Sequence, residues 1–161
     1  MINIKYKFLP WIPAIVWMVL IFSLSAQPAT ESDGFSKSIT ELIIETIGRI
    51  LPLDLETSTT ADLVSQFNHI VRKMAHFSAY LVLGSLVTNA LFKSGIRGYK
   101  AFFYSMMICV LYAISDEFHQ LFVPGRGGQI KDVLIDSSGA LVGIIICNLA
   151  SKILKKKMKI N

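Results

Sequence analysis

The sequence predicts an all-α polytopic membrane protein: a bundle of four transmembrane helices with an extra amphipathic helix in the first extracytoplasmic segment. Three observations carry that prediction. Hydrophobic residues make up 53% of the 161 residues and charged residues only 17%, at a mean hydropathy of +0.54. That is too little charged surface for a soluble protein of single-domain length, so residues 1–161 read as one membrane domain. Four stretches, approximately 8–25, 74–92, 101–122 and 133–153, are long enough to cross about 30 Å of hydrocarbon. In lipid, backbone groups must be satisfied within the segment, so these stretches are helices.

The third observation is where the charge falls. With four crossings and both termini in the cytoplasm, the inner side holds Lys5, Lys7, Lys93, Arg97, Lys100, Lys152, Lys155, Lys156, Lys157 and Lys159, and no acidic residue. The outer side holds Lys37, Arg49, Arg72, Lys73, Arg126 and Lys131 together with all 11 Asp and Glu residues. Both ends and the middle loop obey the positive-inside rule together. The formal charge of +5 is therefore a topology signal. The KILKKKMK run is expected to anchor on anionic lipid, and nucleic acid is not an expected partner.

In the first span, Lys5 and Lys7 precede an apolar run ending in SLSA, as in a signal peptide. Trp11, Pro13 and Trp17 favour a retained span with aromatic residues near an interface. The outer segment follows. Residues 25–33 read as a loop, with Pro28 and Gly34 as breakers. Phe35, Ile39, Leu42, Ile43, Ile47 and Ile50 then fall at helical spacing, with Lys37, Glu41, Glu45 and Arg49 elsewhere on the wheel. This amphipathic helix is expected to lie along the outer membrane face or to cap the bundle. LPLDLETSTT turns the chain. Thr60 is the expected N-cap of a helix from about Ala61 that feeds into the second span.

In the second span, Arg72, His76 and Tyr80 are spaced four apart and Lys73 lies three before His76, so they share a face at the outer boundary. In the third, Tyr112, Asp116, His119 and Gln120 share a face and Glu117 points about 100° away. A solvated helix end would not continue into Leu121-Phe122-Val123, so these charges read as a site or an ion-pair network. Arg126 and Arg72 are the expected partners of the two carboxylates. Pro124-Gly125-Arg126-Gly127-Gly128 is a reversal that sets a guanidinium in a glycine frame, suited to phosphate or carboxylate. In the fourth span, Asp132, Asp136, Gly139, Ala140 and Gly143 line one face. Asp136 must meet a cation, a metal or a proton, with His76, His119, Arg72 and Arg126 as candidates. Gly139 and Gly143 form a small-xxx-small packing pattern. Cys109 and Cys147 sit in apolar spans as inert packing residues, with no disulfide framework.

Several of these blocks together resemble the VanZ-like family of small bacterial membrane proteins. They are Trp17, Phe22-Ser23-Leu24-Ser25-Ala26-Gln27-Pro28, Arg72-Lys73-Met74-Ala75-His76-Phe77 with Tyr80 and Gly84, Tyr112-Ala113-Ile114-Ser115-Asp116-Glu117-Phe118-His119-Gln120, Phe122-Val123-Pro124-Gly125-Arg126, Asp132-Val133, Asp136 and Gly139. The resemblance covers essentially the whole chain. It implies a bacterial plasma-membrane protein of the cell envelope, in a family whose founding member is associated with resistance to teicoplanin and related lipoglycopeptides. It implies no catalytic residues. Gly84 joins Gly139 and Gly143 as a packing position.

Three functions compete. The first is binding of an anionic lipid or a cell-wall precursor headgroup at the outer leaflet. Arg72, Lys73, Arg126 and Lys131 would hold phosphate, and Tyr80, Asp116, Glu117, Gln120, Asp132, Asp136, His76 and His119 would complete the site. A lipoglycopeptide is a further candidate ligand. The second is a membrane-embedded enzyme acting on a lipid-linked substrate, with catalytic candidates His76, Asp116, Glu117, His119 and Asp136. No cofactor is required by the sequence, but a divalent metal is compatible with His76, Asp116, His119 and Asp136. The third is proton-linked transport or sensing through the same groups, for which four short spans would need an oligomer.

Overall fold

The computed structural model describes residues 8–50 and 57–158, and every secondary-structure element in them is helical. A 3-10 turn at Leu9–Trp11 opens into α1 (Ile12–Ser25), followed by α2 (Ala29–Ile50), α3 (Thr57–Lys93), α4 (Tyr99–Gln120) and α5 (Ile130–Met158). Of the turn expected at 51–60, residues 57–60 are already helical; its residues 51–56 and the basic residues Lys5, Lys7 and Lys159 lie outside the described residues, as do the side chains of Phe35, Arg49, Ile50, Asp62, Lys155, Lys156 and Lys157.

Among the described residues three stretches are long and apolar enough to cross a bilayer: Phe67–Lys93, Tyr99–Gln120 and Ile130–Ile153. A fourth crossing arises only if Leu9–Ser25 and Ala29–Ile47, which meet at 104°, are counted as one bent pair. The expected first span is therefore short. Its 17 helical residues rise about 25 Å at about 1.5 Å each.

Two boundaries differ from the sequence expectation. Residues 25–33 are not all loop, because α2 begins at Ala29. Pro28 is the hinge: its carbonyl accepts from the N–H groups of Glu31 and Ser32 at 3.1 Å each, closing the first turn. Gly34 lies inside the helix with open space around it, which costs a helix only about 1 kcal/mol. Thr60 is not the cap, because α3 starts at Thr57 and places it within the first turn. In a Thr/Ser run each hydroxyl residue is a comparable N-cap, so composition alone fixes that start poorly.

α2 turns its apolar side outward. Leu42, Ile43 and Ile47 are exposed, whereas Ser36 and Thr40 are buried. Thr40 donates to the carbonyl of Ser36 at 2.8 Å, so its hydroxyl is satisfied within the helix. The small residues Ser36 and Thr40 are thus on the packed side of α2, and its aliphatic residues face outward.

α3 and α5 form the most extensive helix pair, and glycines set their separation. A Cβ on Gly84 would stand 2.4 Å from the Ala140 carbonyl oxygen, one on Gly139 2.2 Å from that of Phe77, and one on Gly143 1.9 Å from that of Leu81. Ser85 adds an interhelical hydrogen bond to the Gly143 carbonyl at 3.1 Å. The core around this seam includes Ala14 and Ile21 of α1, Tyr80, Leu83, Val87 and Leu91 of α3, Cys109 and Ala113 of α4, and Ala140 of α5. Both cysteines are free. α1 is fastened to the bundle by Trp17 Nε1, which donates to the Ala79 carbonyl at 2.8 Å, and by the Tyr112 hydroxyl, which donates to the Met18 carbonyl at 2.6 Å.

Candidate functional site

At one end of the bundle α1 bends into α2, α4 turns into α5, and α3 passes between. The connecting loop after α4 is tied to α2 and to α4 and closed by a turn of its own. The Ala29 N–H, at the start of α2, donates to the Pro124 carbonyl at 3.2 Å, and the Arg126 N–H donates to the Val123 carbonyl at 3.1 Å. The Gln129 N–H, just before α5, donates to the Glu117 carboxylate. That carboxylate also complements the positive end of the α5 dipole. Gly125 has φ 75°, a left-handed conformation open to glycine at little cost. It carries the chain around so that the Arg126 guanidinium turns back over α1, where it donates to the Leu24 carbonyl at 3.5 Å.

The result is a polar cavity of about 140 Å³ whose lining includes His69, Arg72, Lys73 and His76 from α3, Gln120 from α4, Arg126 from the loop, and Asp132 and Asp136 from α5. A cavity this size with so many polar partners holds several waters or a compact polar group. Its acids are paired across the seam. Lys73 Nζ lies 3.2 Å from Asp132 Oδ1, and His76 Nδ1 lies 3.6 Å from Asp136 Oδ1, with the Asp136 side chain 1% exposed.

Asp116 and Glu117 are also buried, and both find neutral partners where the sequence argued for arginines. Glu117 accepts from main chain, as above. Asp116 is hydrogen-bonded at 3.5 Å by Gln120 Nε2, which also donates to Ser25 Oγ at 2.8 Å. A carboxylate held by fixed dipoles needs no second basic group beside it.

The other expected site residues fall as follows. Tyr80 is fully buried, its ring 6.0 Å from that of Tyr112, and its hydroxyl has no hydrogen-bond partner. His119 stacks on Phe22 with ring centroids 4.4 Å apart. It does not line the polar cavity, so the four candidate metal ligands are not brought together. Among the described residues no group of three or more His, Cys, Asp or Glu side chains is placed to hold a metal ion. Lys131 is exposed and outside the cavity. Sequence reasoning missed Ser25, Gln129 and His69. For His69 the signal was present, since it precedes Arg72 by three and His76 by seven and so shares their helical face. The main-chain donor of Gln129 leaves no signature in the residue type.

Beside this cavity lies a second, mostly apolar cleft of about 160 Å³ between α1, α2 and α3. Arg72, His76 and Arg126 line both.

Fold and geometry define a multi-pass helical membrane protein with a charged cavity at one end of its bundle. Residues 9–151 match the model of the VanZ/LLP1 family, and the chain belongs to that family. No curated protein and no solved structure matches it.

Proposed function

We propose that this protein binds the anionic headgroup of a membrane lipid or a lipid-linked cell-wall precursor at the outer leaflet of the bacterial plasma membrane, with both termini cytoplasmic. One observation carries the reading. The cavity lining brings two guanidinium groups and an ammonium, those of Arg72, Arg126 and Lys73, to one polar space at the end of the bundle. Phosphate suits two guanidinium groups brought to one cavity. The membrane side comes from the segregation of basic residues. Engaging a lipid-linked precursor, or a lipoglycopeptide itself, at that surface is how such a protein would contribute to teicoplanin-type resistance.

Native mass spectrometry of the purified protein tests this. The wild type should retain an anionic lipid, and Arg126→Gln should lose it. Equal retention by the two would overturn the reading. The His76–Asp136 pair on the same cavity supports a second reading, a lipid-linked-substrate enzyme with His76 as general base. Turnover unaffected by His76→Ala would exclude that one.

A further inference from the structure

We propose that the ligand is a single amphiphile spanning both cavities: its phosphate in the polar one, and the first part of one hydrocarbon chain in the cleft between α1, α2 and α3. This rests on the headgroup reading and adds to it the ligand class, a membrane-resident phosphate-bearing lipid as opposed to a soluble anion.

The continuity of the two spaces is the main argument. Arg72, His76 and Arg126 border the polar cavity on one side and the cleft on the other. A phosphate between the two arginines would therefore direct its ester substituent into the cleft. The chemistry changes across that wall. On the polar side stand Lys73, Asp132, Asp136 and Gln129. On the other stand Ile21, Leu24, Ile39, Val71, Ala75 and Ala79.

The cleft also has an open flank through which a chain can enter from the bilayer, since Leu24 and Ile39 at its rim are 51% and 37% exposed. The cleft lining also keeps a few polar groups, Ser25, Ser32, Ser36 and Gln27, which suit the ester or glycerol oxygens of a lipid. Tyr80 also lines the cleft. It is 0% exposed and its hydroxyl has no hydrogen-bond partner. A buried hydroxyl left without a partner is costly, and a ligand oxygen at the junction would supply one. The bend at Pro28 turns α2 back at 104° to α1, and the wedge it opens is the cleft itself.

The test uses the full chain in detergent and two probes, dioleoyl phosphatidic acid and inorganic phosphate. Ala75, exposed and on the cleft wall, is replaced by Phe to fill the chain space. Ala75→Phe should weaken the lipid about tenfold, the order expected when a bulky side chain competes for a packed space, and leave phosphate binding unchanged. Arg126→Gln should weaken both probes. If Ala75→Phe leaves the lipid affinity unchanged while Arg126→Gln lowers it, the chain site is refuted and the headgroup reading stands. If Arg126→Gln changes neither, the headgroup reading has failed as well. If Ala75→Phe weakens phosphate as much as lipid, its effect is not on a chain and the inference fails. A phosphatidic acid with a mid-chain diazirine tests the unaltered protein. Adducts should concentrate on peptides containing Leu24 and Ile39, and even labelling of outward residues such as Ile145 and Leu149 would overturn the proposal.

Discussion

The same substitution, glycine to alanine, should have opposite effects at two helical positions. At Gly143 a Cβ would stand 1.9 Å from the Leu81 carbonyl oxygen and 3.0 Å from Ser85 Oγ. A carbon next to a carbonyl oxygen needs about 3.3 Å, so α3 and α5 must separate locally by roughly 1 Å or slide. A gap of about that size forfeits a quarter to a half of each dispersion contact, and overpacking of this kind costs about 1–3 kcal/mol. Moving the Gly143 carbonyl away from Ser85 Oγ, now 3.1 Å distant, loses on the order of 0.6 kcal/mol more. Alanine's better helix propensity returns about 1 kcal/mol, so the net is about 2 kcal/mol of destabilisation. At Gly34 a Cβ meets nothing within 4 Å, so only the propensity remains and Gly34→Ala should stabilise by about 0.5–1 kcal/mol. Thermal unfolding in detergent, followed by tryptophan fluorescence, should show Gly143→Ala melting roughly 4–8 °C lower and Gly34→Ala about 2 °C higher. If Gly143→Ala melts at or above wild type, the close α3–α5 approach is not what sets the seam.

Three other outcomes are expected. Trp17→Phe, which removes the Nε1 bond to the Ala79 carbonyl, should destabilise by about 1 kcal/mol and increase proteolysis at the α1–α2 bend; unchanged melting would show that α1 is held by packing alone. Glu117→Gln keeps an acceptor for the Gln129 N–H and should be nearly neutral, whereas Glu117→Ala leaves that donor unpaired and should cost about 1–3 kcal/mol; equal melting temperatures would contradict the loop-pinning role. A double-mutant cycle of His76→Phe and Asp136→Asn should show a coupling of about 1–3 kcal/mol, and additive effects would mean that the 3.6 Å pair carries no energy.

Much of the fold was legible because lipid leaves few options. A 24-residue apolar run such as Ile130–Ile153 can only be helical there. The faces of α3 and α5 were also readable, since Arg72, Lys73, His76, Asp132 and Asp136 converge as helical spacing requires. What was not legible depended on tertiary contact. His119 is on the expected face of α4, yet the approach of Phe22 on α1 takes its ring away from the cavity. The partner of Glu117 is a backbone N–H, which any residue at that position would offer. The start of α2 was misplaced because the proline and glycine were both taken as breakers, although a proline at a helix start and an isolated glycine within it are compatible with continuous helix.

The acids of the site follow one pattern. Each buried carboxylate ties two elements together. Asp116 is linked to α1 through Gln120, which donates both to it and to Ser25, Glu117 joins α4 to the start of α5, and Asp136 joins α5 to α3 through His76. Asp132, partly exposed, makes a second α5–α3 tie through Lys73. In a bundle without a hydrophobic driving force between its helices, such polar ties are a principal source of specificity. Asp116 and Glu117 are absent from the cavity lining, so half of the acids act from behind the wall. The ionisable groups at this end of the bundle thus separate into two sets. One set, mostly acidic, fixes how the helices meet. The other, centred on Arg72 and Arg126, stands on the wall shared by the polar cavity and the apolar cleft, where the proposed phosphate and hydrocarbon chain would meet.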